Sequence, residues 1–202
     1  MQQQQRHAPV QNGRSDTARL VAGELVYTGS LRTPVCATVR SVPLGGRPCR
    51  VAAEQFAVAA DVHRWLGRIE DADYTCDTPD GRGRGRLEAG ARLARMVCAD
   101  LETLGPADLT AIAEHVARAQ VRQIARGVRQ VMRRLAPSCP TDAVLAGSGA
   151  FLARSAAEHA GLTTHDLASD IGPEAARSAP AAAVAYLLAE HILAGAAWPT
   201  SA

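Results

Sequence analysis

Apolar residues recur along much of the chain every three or four positions, which is the spacing of an amphipathic helix. This pattern predicts helices over 54–66, 87–104 and 108–135, and the second of these stops before a Gly-Pro pair. A further helix is predicted over 151–159, and the alanine-rich stretch that begins at Pro173 predicts a last helix or helix pair. We therefore expect the ordered chain to be largely helical.

Shorter apolar runs between these helices predict strands. Residues 35–42 and 47–53 have the pattern of two hairpin strands, with a Pro-Leu-Gly-Gly turn at 43–46. The glycine-bracketed segment 23–29 has β-type composition, and 162–168 is either a short strand or an irregular link. The sequence thus predicts helices interspersed with strands, including one hairpin.

In the stretch 141–154 a short strand, a glycine turn and the start of a helix follow one another. Its apolar run at 144–146 is short enough for a strand that is buried on both faces. Gly147 and Gly149 lack a Cβ atom, so the backbone around Ser148 can come close to a ligand, and the free N–H groups of a helix N-terminus suit a phosphate. The alternative is a plain strand-to-helix turn that the two glycines allow to pack.

A second unusual stretch, 71–86, contains four aspartates followed by three arginines that alternate with glycine. Asp77 and Asp80 are candidate Mg²⁺ ligands, because this ion prefers carboxylate oxygens and water. The three arginines are candidate ligands of a phosphate or diphosphate, since each guanidinium offers paired N–H donors. They are Arg82, Arg84 and Arg86. The alternative is a solvated loop whose charges neutralise one another around a Pro-Asp-Gly turn.

Other charged positions are expected to be ordinary surface groups. Glu54 and Asp61 lie two turns apart on the predicted helix 54–66, where we expect an acid favoured by the helix N-terminus and an exposed acid. A stripe of arginines on the longest helix is expected to be a solvated face rather than a surface for RNA or an acidic membrane. Its members are Arg118, Arg122, Arg126, Arg129 and Arg133.

Composition narrows the classes of function. The formal net charge of the 202-residue chain is only +2, so we expect no nucleic-acid partner. No run approaches the roughly 18 apolar residues of a membrane span, so we expect no membrane partner either. Residues 1–15 are polar and rich in glutamine, which predicts a disordered tail before one domain over 16–202. Five cysteines without a Cys-x-x-Cys pair, and no signal peptide, predict a cytoplasmic protein with reduced thiols.

Three groups of segments together resemble the hydantoinase A/oxoprolinase family, and within it the branch of tetrahydromethanopterin-linked one-carbon transfer proteins. They are 23–29 with Arg32-Thr33-Pro34, 53–56 with Asp61-Val62, and 77–84 with 92–96. The turn within 144–153 resembles the nucleotide-side glycine motif of the actin/Hsp70/sugar-kinase superfamily. The resemblance covers about 16–190 and implies an α/β fold of the ribonuclease-H-like kind.

The resemblance also implies a chemistry. Its archaeal relatives are implied to join a furan-methyl diphosphate to the phenol of γ-glutamyl-tyramine in methanofuran synthesis, an alkyl transfer in which diphosphate leaves. Such a step needs Mg²⁺ or arginines to take up charge on the leaving group. The candidate residues are Asp77, Asp80 and Arg82 for catalysis, Asp77 and Asp80 for the metal, and Gly147, Ser148, Gly149 and Arg84 for the phosphate, which ATP or diphosphate would carry.

Members of the superfamily begin with an N-terminal half that bears an Asp-x-Gly-Gly phosphate loop and a second acidic, threonine-rich loop, and neither pattern is present here. The chain therefore resembles the C-terminal part of such a protein, and we expect exposed apolar surface where the other half docks. The expected partners are a small-molecule substrate and either a separate N-terminal subunit or further copies of the chain.

Three hypotheses about function stay open. The first is a transferase fragment of the one-carbon pathway. The second is an ATP-binding or hydrolytic domain like those of the relatives that open cyclic amides. The third is a non-catalytic module that pairs with an N-terminal subunit.

Overall fold

A computed structural model of the protein describes residues 15–135 and 141–194, and within these ranges the chain forms nine helices and four strands. The helices are α1 (Asp16–Ala22), α2 (Val35–Thr38), α3 (Ala59–Trp65), α4 (Arg86–Arg95), α5 (Pro106–Leu135), α6 (Ala150–Ala160), α7 (Ala168–Ile171), α8 (Pro173–Arg177) and α9 (Ala179–Leu193). The strands are β1 (Ser41–Leu44), β2 (Arg47–Arg50), β3 (Asp142–Leu145) and β4 (Thr163–Asp166). They form two separate two-stranded sheets, so the architecture is helix-rich, with small sheets that include an antiparallel hairpin.

The predicted disordered tail lies outside the described residues except for its last member. Ser15 is the N-cap of α1, because its hydroxyl accepts a hydrogen bond from the Ala18 amide (3.2 Å).

The 30-residue helix α5 is the central support of the fold. It buries Leu109, Ile112 and Val116 in the main core and packs against α3, α4, β1 and α6. Its predicted boundaries are confirmed to within two residues, because apolar spacing that persists over many turns leaves little ambiguity. The five arginines of the predicted stripe are all exposed, as expected.

The hairpin of β1 and β2 is shorter than predicted. Its turn consists of two glycines with φ of 55° and 74°, a conformation that glycine adopts without strain. Residues 35–38 form the helical turn α2 instead of strand. The Val39 amide donates to the Val35 carbonyl (3.1 Å), while Pro34, just before the turn, pairs with Val58 in an isolated antiparallel bridge. The strand prediction over 35–42 is therefore wrong in its first half.

Two predicted helices have different ends in the structure. The helix predicted over 54–66 begins only at Ala59, because the Asp61 carboxylate accepts the Val58 amide (2.9 Å) and closes the N-terminus at that point.

The helix predicted over 87–104 ends at Arg95. Cys98 has a left-handed φ of 57°, which breaks the helical path. The following turn is held by Asp100 Oδ1, which accepts the amides of Glu102 (3.1 Å) and Thr103 (2.9 Å). Apolar spacing continues through this turn, and for that reason the sequence pattern does not detect the end of the helix.

β3, α6 and β4 form a parallel βαβ unit that packs on α5. The two strands pair with Val144 opposite His165. Leu145 is buried in a cluster with Ala157 and Leu162, but Val144 is 65% exposed. The prediction of a strand buried on both faces is therefore wrong, because the outer face of β3 is open to solvent.

Residues 24–29 run as a loop that makes no strand pairing within the described ranges. The side-chain amide of Gln120, on α5, donates to the Thr28 hydroxyl (2.8 Å) and to the Gly29 carbonyl (2.9 Å). The β-type prediction for this segment is wrong, because polar groups of the loop bond to a helix rather than to a neighbouring strand.

Gly90, inside α4, faces the indole ring of Trp65. A Cβ atom on Gly90 would lie 2.6 Å from Trp65 Cζ3, and the ring is held because its Nε1 donates to the Thr110 hydroxyl (3.1 Å) and the Arg86 guanidinium covers its face. We expect Gly90→Ala to lower the free energy of unfolding by about 1–3 kcal/mol, despite the better helix propensity of alanine. Urea denaturation followed by circular dichroism measures this change.

The matched control is the same substitution in a Trp65→Leu background. Without the indole ring, Gly90→Ala should raise the free energy of unfolding by up to about 1 kcal/mol, which is the gain in helix propensity. An equal loss in both backgrounds would show that the contact with Trp65 is not the cause.

Candidate functional site

One apolar cluster joins the segments that carry the predicted site residues. Its buried members are Val58, Ala60, Ile69, Tyr74 and Cys76. The last two belong to the acidic–arginine loop, residues 71–85, which precedes α4. Leu31, from the loop 28–34, and Phe151, from the first turn of α6, pack against the cluster. The cluster therefore holds the acidic–arginine loop, the loop 28–34 and the start of α6 against one another.

The glycine turn between β3 and α6 lies directly beside the loop 28–34. A Cβ atom on Gly149 would be 3.4 Å from Ser30 Oγ. Gly147 has a φ of 86°, and its amide donates to the Ala176 carbonyl (2.8 Å). The amides of Ser148 and Gly149 make no hydrogen bond to residues that the structure describes, so these two donors can bind a ligand.

A buried ion pair anchors the acidic–arginine loop to the core. Asp61 of α3 and Arg92 of α4 are both inaccessible to solvent, and Arg92 Nε donates to Asp61 Oδ1 at 2.8 Å. Arg92 Nη2 lies 2.8 Å from the same oxygen, without the alignment of a hydrogen bond. The Tyr74 hydroxyl donates to Oδ1 and the Val58 amide to Oδ2, both at 2.9 Å.

The prediction that Asp61 is an exposed acid is therefore wrong. A carboxylate can be buried only where a counter-charge and hydrogen-bond donors replace water, and Arg92 and Tyr74 supply them. The family resemblance includes both Asp61 and Arg92, and this was the one signal in the sequence that pointed to them.

Burial shifts the pKa of each group in this network. It raises the pKa of Asp61, which the hydrogen bonds from Arg92 and Val58 oppose, and it raises the pKa of Tyr74, an effect that the Asp61 charge strengthens. Burial alone would lower the pKa of Arg92, but its contact with Asp61 outweighs that effect and the net change is upward. Tyr74 and Arg92 therefore keep their protons at neutral pH, and they support the site rather than transfer protons.

Arg92 also reaches the tip of the acidic–arginine loop. Its Nη1 donates to Asp80 Oδ1 (3.0 Å) and to the Gly83 carbonyl (3.1 Å), and the Arg82 amide donates to the same Asp80 oxygen (3.2 Å). Partial burial would raise the pKa of Asp80, but these hydrogen bonds and the Arg92 charge hold it below its usual value. The predicted metal ligand Asp80 is thus ionised and holds the loop in place.

The other predicted residues of the loop, Asp77, Arg82 and Arg84, are exposed. Within the described ranges, no three Asp, Glu, His or Cys side chains are arranged to hold a metal ion together. Mg²⁺ is commonly bound by one or two carboxylates, substrate phosphates and several waters. The described residues alone therefore do not form a cage for Mg²⁺, and Asp77 and Asp80 stay candidate ligands.

Cys76 is buried in the apolar cluster on which Leu31, the neighbour of Arg32 in the chain, also packs. Burial raises the pKa of its thiol, while the charges of Arg32 and Arg84 act in the opposite direction. Ser30, on the other side of Leu31, lies beside Gly149, so the two residues before Arg32 contact the glycine turn and the cluster that contains Cys76. Arg32 was not among the predicted site residues, although its Arg-Thr-Pro segment belongs to the family resemblance.

A concavity of about 370 Å³ opens beside Arg32. Leu25, Val26 and Tyr27 form much of its wall, and Thr33 also lines it. Ligand pockets typically have volumes of about 300–1,000 Å³, so this concavity has room for one small aromatic group. Arg32 therefore lies at the junction of an apolar concavity with the segments that carry the glycine turn and the acidic–arginine loop.

His63 packs beneath the first turn of α6. Its ring meets that of Phe151 edge-on, with 4.9 Å between the centroids and an interplanar angle of 82°. The ring is fully buried, and its Nε2 lies 3.3 Å from Gln120 Oε1. Burial, and then the charge of Arg68, lower the pKa of His63 to about 4. The imidazole is therefore neutral near pH 7, and it supports the helix that follows the glycine turn.

Comparisons of the sequence with known proteins give consistent matches. The profile described as hydantoinase/oxoprolinase matches residues 2–191. The chain is 30% identical over 179 residues to the (4-{4-[2-(gamma-L-glutamylamino)ethyl]phenoxymethyl}furan-2-yl)methanamine synthase of Methanocaldococcus jannaschii. This match covers 89% of this chain and 53% of that protein. It is also 30% identical over 120 residues to the protein of the same name in Methanococcus vannielii, and this match covers 59% of this chain and 54% of that protein. The chain thus spans about half the length of these curated relatives.

The buried His63 makes stability depend on pH. Its pKa is about 4 in the folded protein and 6.5 in an exposed setting, so the unfolded chain binds more protons between these values. The free energy of unfolding should therefore fall as the pH is lowered from 6.5 to 4, by about 3 kcal/mol from this residue. Urea denaturation at a series of pH values measures the dependence.

His63→Gln should remove most of this loss, because glutamine does not titrate. The control is Val62→Ala, a neighbouring buried residue without a titratable group, which should lower the free energy of unfolding by a similar amount at every pH. Parallel pH profiles for the wild type and His63→Gln would exclude His63 as the cause.

Proposed function

The chain belongs to the hydantoinase/oxoprolinase family, and from this premise we propose that it supplies one wall of an alkyl-transfer site in methanofuran-linked one-carbon metabolism. In the proposed reaction a phenol oxygen forms a bond to the methylene carbon of a furan-methyl diphosphate. The bond from that carbon to the diphosphate oxygen breaks, the diphosphate leaves with the electron pair, and the phenol proton passes to a base or to water. The names of the two relatives, which describe a phenoxymethyl-furan compound, support this reaction class.

Arg32 is the residue on which this proposal rests, because it borders two different surfaces. It lines the apolar concavity, and the two residues before it contact the other surface, Ser30 beside the glycine turn and Leu31 on the apolar cluster that anchors the acidic–arginine loop. A furan or phenol ring suits the first surface, and a diphosphate suits the second. A substrate in which one methylene joins an aromatic ring to a diphosphate would place its reacting carbon beside Arg32.

The described residues are best suited to stabilise charge on the leaving group. Diphosphate gains negative charge as its bond to carbon breaks, and preorganised donors at that position stabilise the transition state more than the ground state. The candidate donors are the exposed Arg82 and Arg84 and the amides of Ser148 and Gly149. Gly147 allows the turn that points these amides outward, and the bond from Arg92 to Asp80 limits movement of the loop.

Mg²⁺ is the proposed cofactor of this site. Asp77 and the second oxygen of Asp80 would hold the ion against the diphosphate, and the ion would supply further positive charge to the leaving group. ATP is the alternative phosphate-bearing ligand, as expected for the relatives that open cyclic amides.

We further propose that β3, α6 and β4 belong to a ribonuclease-H-like fold of the kind found in the actin/Hsp70/sugar-kinase superfamily. The parallel pairing of β3 and β4 around α6 supports this proposal. So does the position of the glycine turn at the carboxyl end of β3, where open α/β sheets bind their ligands.

Titration calorimetry with inorganic diphosphate, with and without Mg²⁺, tests the proposed site. We expect Arg84→Ala to weaken binding by about tenfold, because one charge-assisted contact is lost. Gly149→Val should abolish binding, since the new side chain fills the space between the turn and Ser30. Asp77→Asn should remove the affinity that Mg²⁺ adds and leave metal-free binding in place.

The matched control is Arg95→Ala, which removes an exposed arginine at the end of α4 and should leave binding unchanged. Heats of binding that are the same in the wild type, Arg84→Ala and Gly149→Val would overturn the proposed site. Binding of ATP without binding of diphosphate would favour the ATP-dependent alternative.

Helix α9 favours a second role, in pairing with another polypeptide. Apolar side chains are exposed around most of its circumference, namely Val184, Tyr186, Leu187, Leu188, Ile192 and Leu193. A helix of this composition is normally buried, yet none of its residues is buried here. No helix within 15–135 or 141–194 is long and apolar enough to cross a membrane. Because the chain spans about half of its relatives, we propose that a polypeptide corresponding to their other half covers α9.

Leu187→Glu on α9 should leave the stability of the isolated chain nearly unchanged, since the side chain is exposed. It should weaken binding of a co-expressed polypeptide that corresponds to the other half of the relatives by about tenfold or more, because the new charge would be buried without a partner. Val21→Glu, at an exposed apolar position of α1, is the matched control. Equal co-purification of all three proteins with this polypeptide would exclude α9 as its docking surface.

A further inference from the structure

A second concavity, of about 300 Å³, opens between α5 and α6 and shares no lining residue with the site assigned above. Arg118 and Arg122 of α5 line it, and His159 of α6 does so from the other helix. Arg68 arrives from the turn after α3, where its amide donates to the His63 carbonyl (2.9 Å). Basic side chains from three separate elements thus surround one small space.

The arrangement of these side chains suits a compact anion. Arg118 and Arg122 are four residues apart on one helix, which places their Cβ atoms about 5–6 Å from each other. Ala117 and Val121, from the same helix, contribute apolar surface to the concavity. The Arg129 guanidinium donates to the His159 carbonyl and ties the two helices together.

Acidic groups neutralise only part of this positive charge. Glu114 pairs with Arg118 at 3.0 Å, and neither Arg68 nor Arg122 makes an ion pair within the ranges that the structure describes. The excess positive charge also affects the pKa of neighbouring histidines. Burial is the larger cause for both, and in addition the Arg68 charge lowers the pKa of His63 and the charges of Arg122 and Arg118 lower that of His115. With three arginines and one paired glutamate, the lining of the concavity carries a net positive charge.

We propose that this concavity binds the phosphate monoester of a small organic molecule. Arg68, Arg118 and Arg122 hold the dianionic phosphate, because guanidinium groups donate paired hydrogen bonds to its oxygens. The organic part lies against Ala117 and Val121. An extended nucleic acid would instead contact the whole arginine stripe of α5, including Arg126, which does not line the concavity.

Titration calorimetry of the full chain with phenyl phosphate, at constant ionic strength, tests this proposal. Phenyl phosphate combines a dianion with one apolar ring. We expect Arg122→Ala to weaken its binding by about tenfold and Arg122→Lys to weaken it less, because lysine keeps the charge but loses the paired donors. Inorganic phosphate should bind more weakly than phenyl phosphate, since it makes no contact with the apolar surface.

Two matched variants separate this site from other sources of binding. Arg126→Ala removes the next arginine of the stripe, and Arg84→Ala removes one from the proposed diphosphate site, and both should leave the affinity for phenyl phosphate unchanged. An equal loss in Arg126→Ala and Arg122→Ala would overturn the proposal in favour of general attraction to the helix. A loss in Arg84→Ala alone would place the probe in the diphosphate site, and equal affinities for inorganic and phenyl phosphate would exclude an organic ligand.

Discussion

The buried pair of Asp61 and Arg92 is the interaction on which the candidate site depends. Breaking a buried pair by removing one partner typically costs about 3–5 kcal/mol, so each residue fixes the position of the other. Arg92 extends from this pair to Asp80, and in doing so it places the acidic–arginine loop against the core. The loop that carries Arg82 and Arg84 is rich in glycine and would otherwise have many conformations. Its position is therefore set by Arg92, on the helix α4 that follows it in the chain.

Sequence periodicity predicts the long elements well and the short ones poorly. The apolar faces of α5 and α6 repeat over several turns, and tertiary contacts agree with them. Residues 35–38 and the segment after Arg95 are decided instead by single features, a helical hydrogen bond from Val39 to Val35 and a left-handed residue at Cys98. Such features leave no periodic trace in the sequence.

The candidate site could be predicted only in part. Charge pattern and family resemblance identify the acidic–arginine loop and the glycine turn, and the structure holds both against one apolar cluster. The burial of Asp61 could not be predicted from the sequence pattern, because an aspartate in a helix is normally exposed and its partner, Arg92, lies 31 positions further along the chain. Arg32 acquires its place only through folding, since the concavity that it lines forms where the loop 24–29 folds beside it. The roles of the predicted catalytic and metal-binding residues stay predictions.

Gln120 links the loop beside the apolar concavity to the interior. The Gly29 carbonyl can only accept a hydrogen bond, so the nitrogen of the Gln120 amide must face it and the amide oxygen must face His63. The histidine therefore carries its single proton on Nε2, while Nδ1 keeps a lone pair that has no partner among the described residues. A main-chain carbonyl in the loop thus selects the tautomer of an imidazole in the core, and the ring's ¹⁵N resonances become a spectroscopic reporter on that loop.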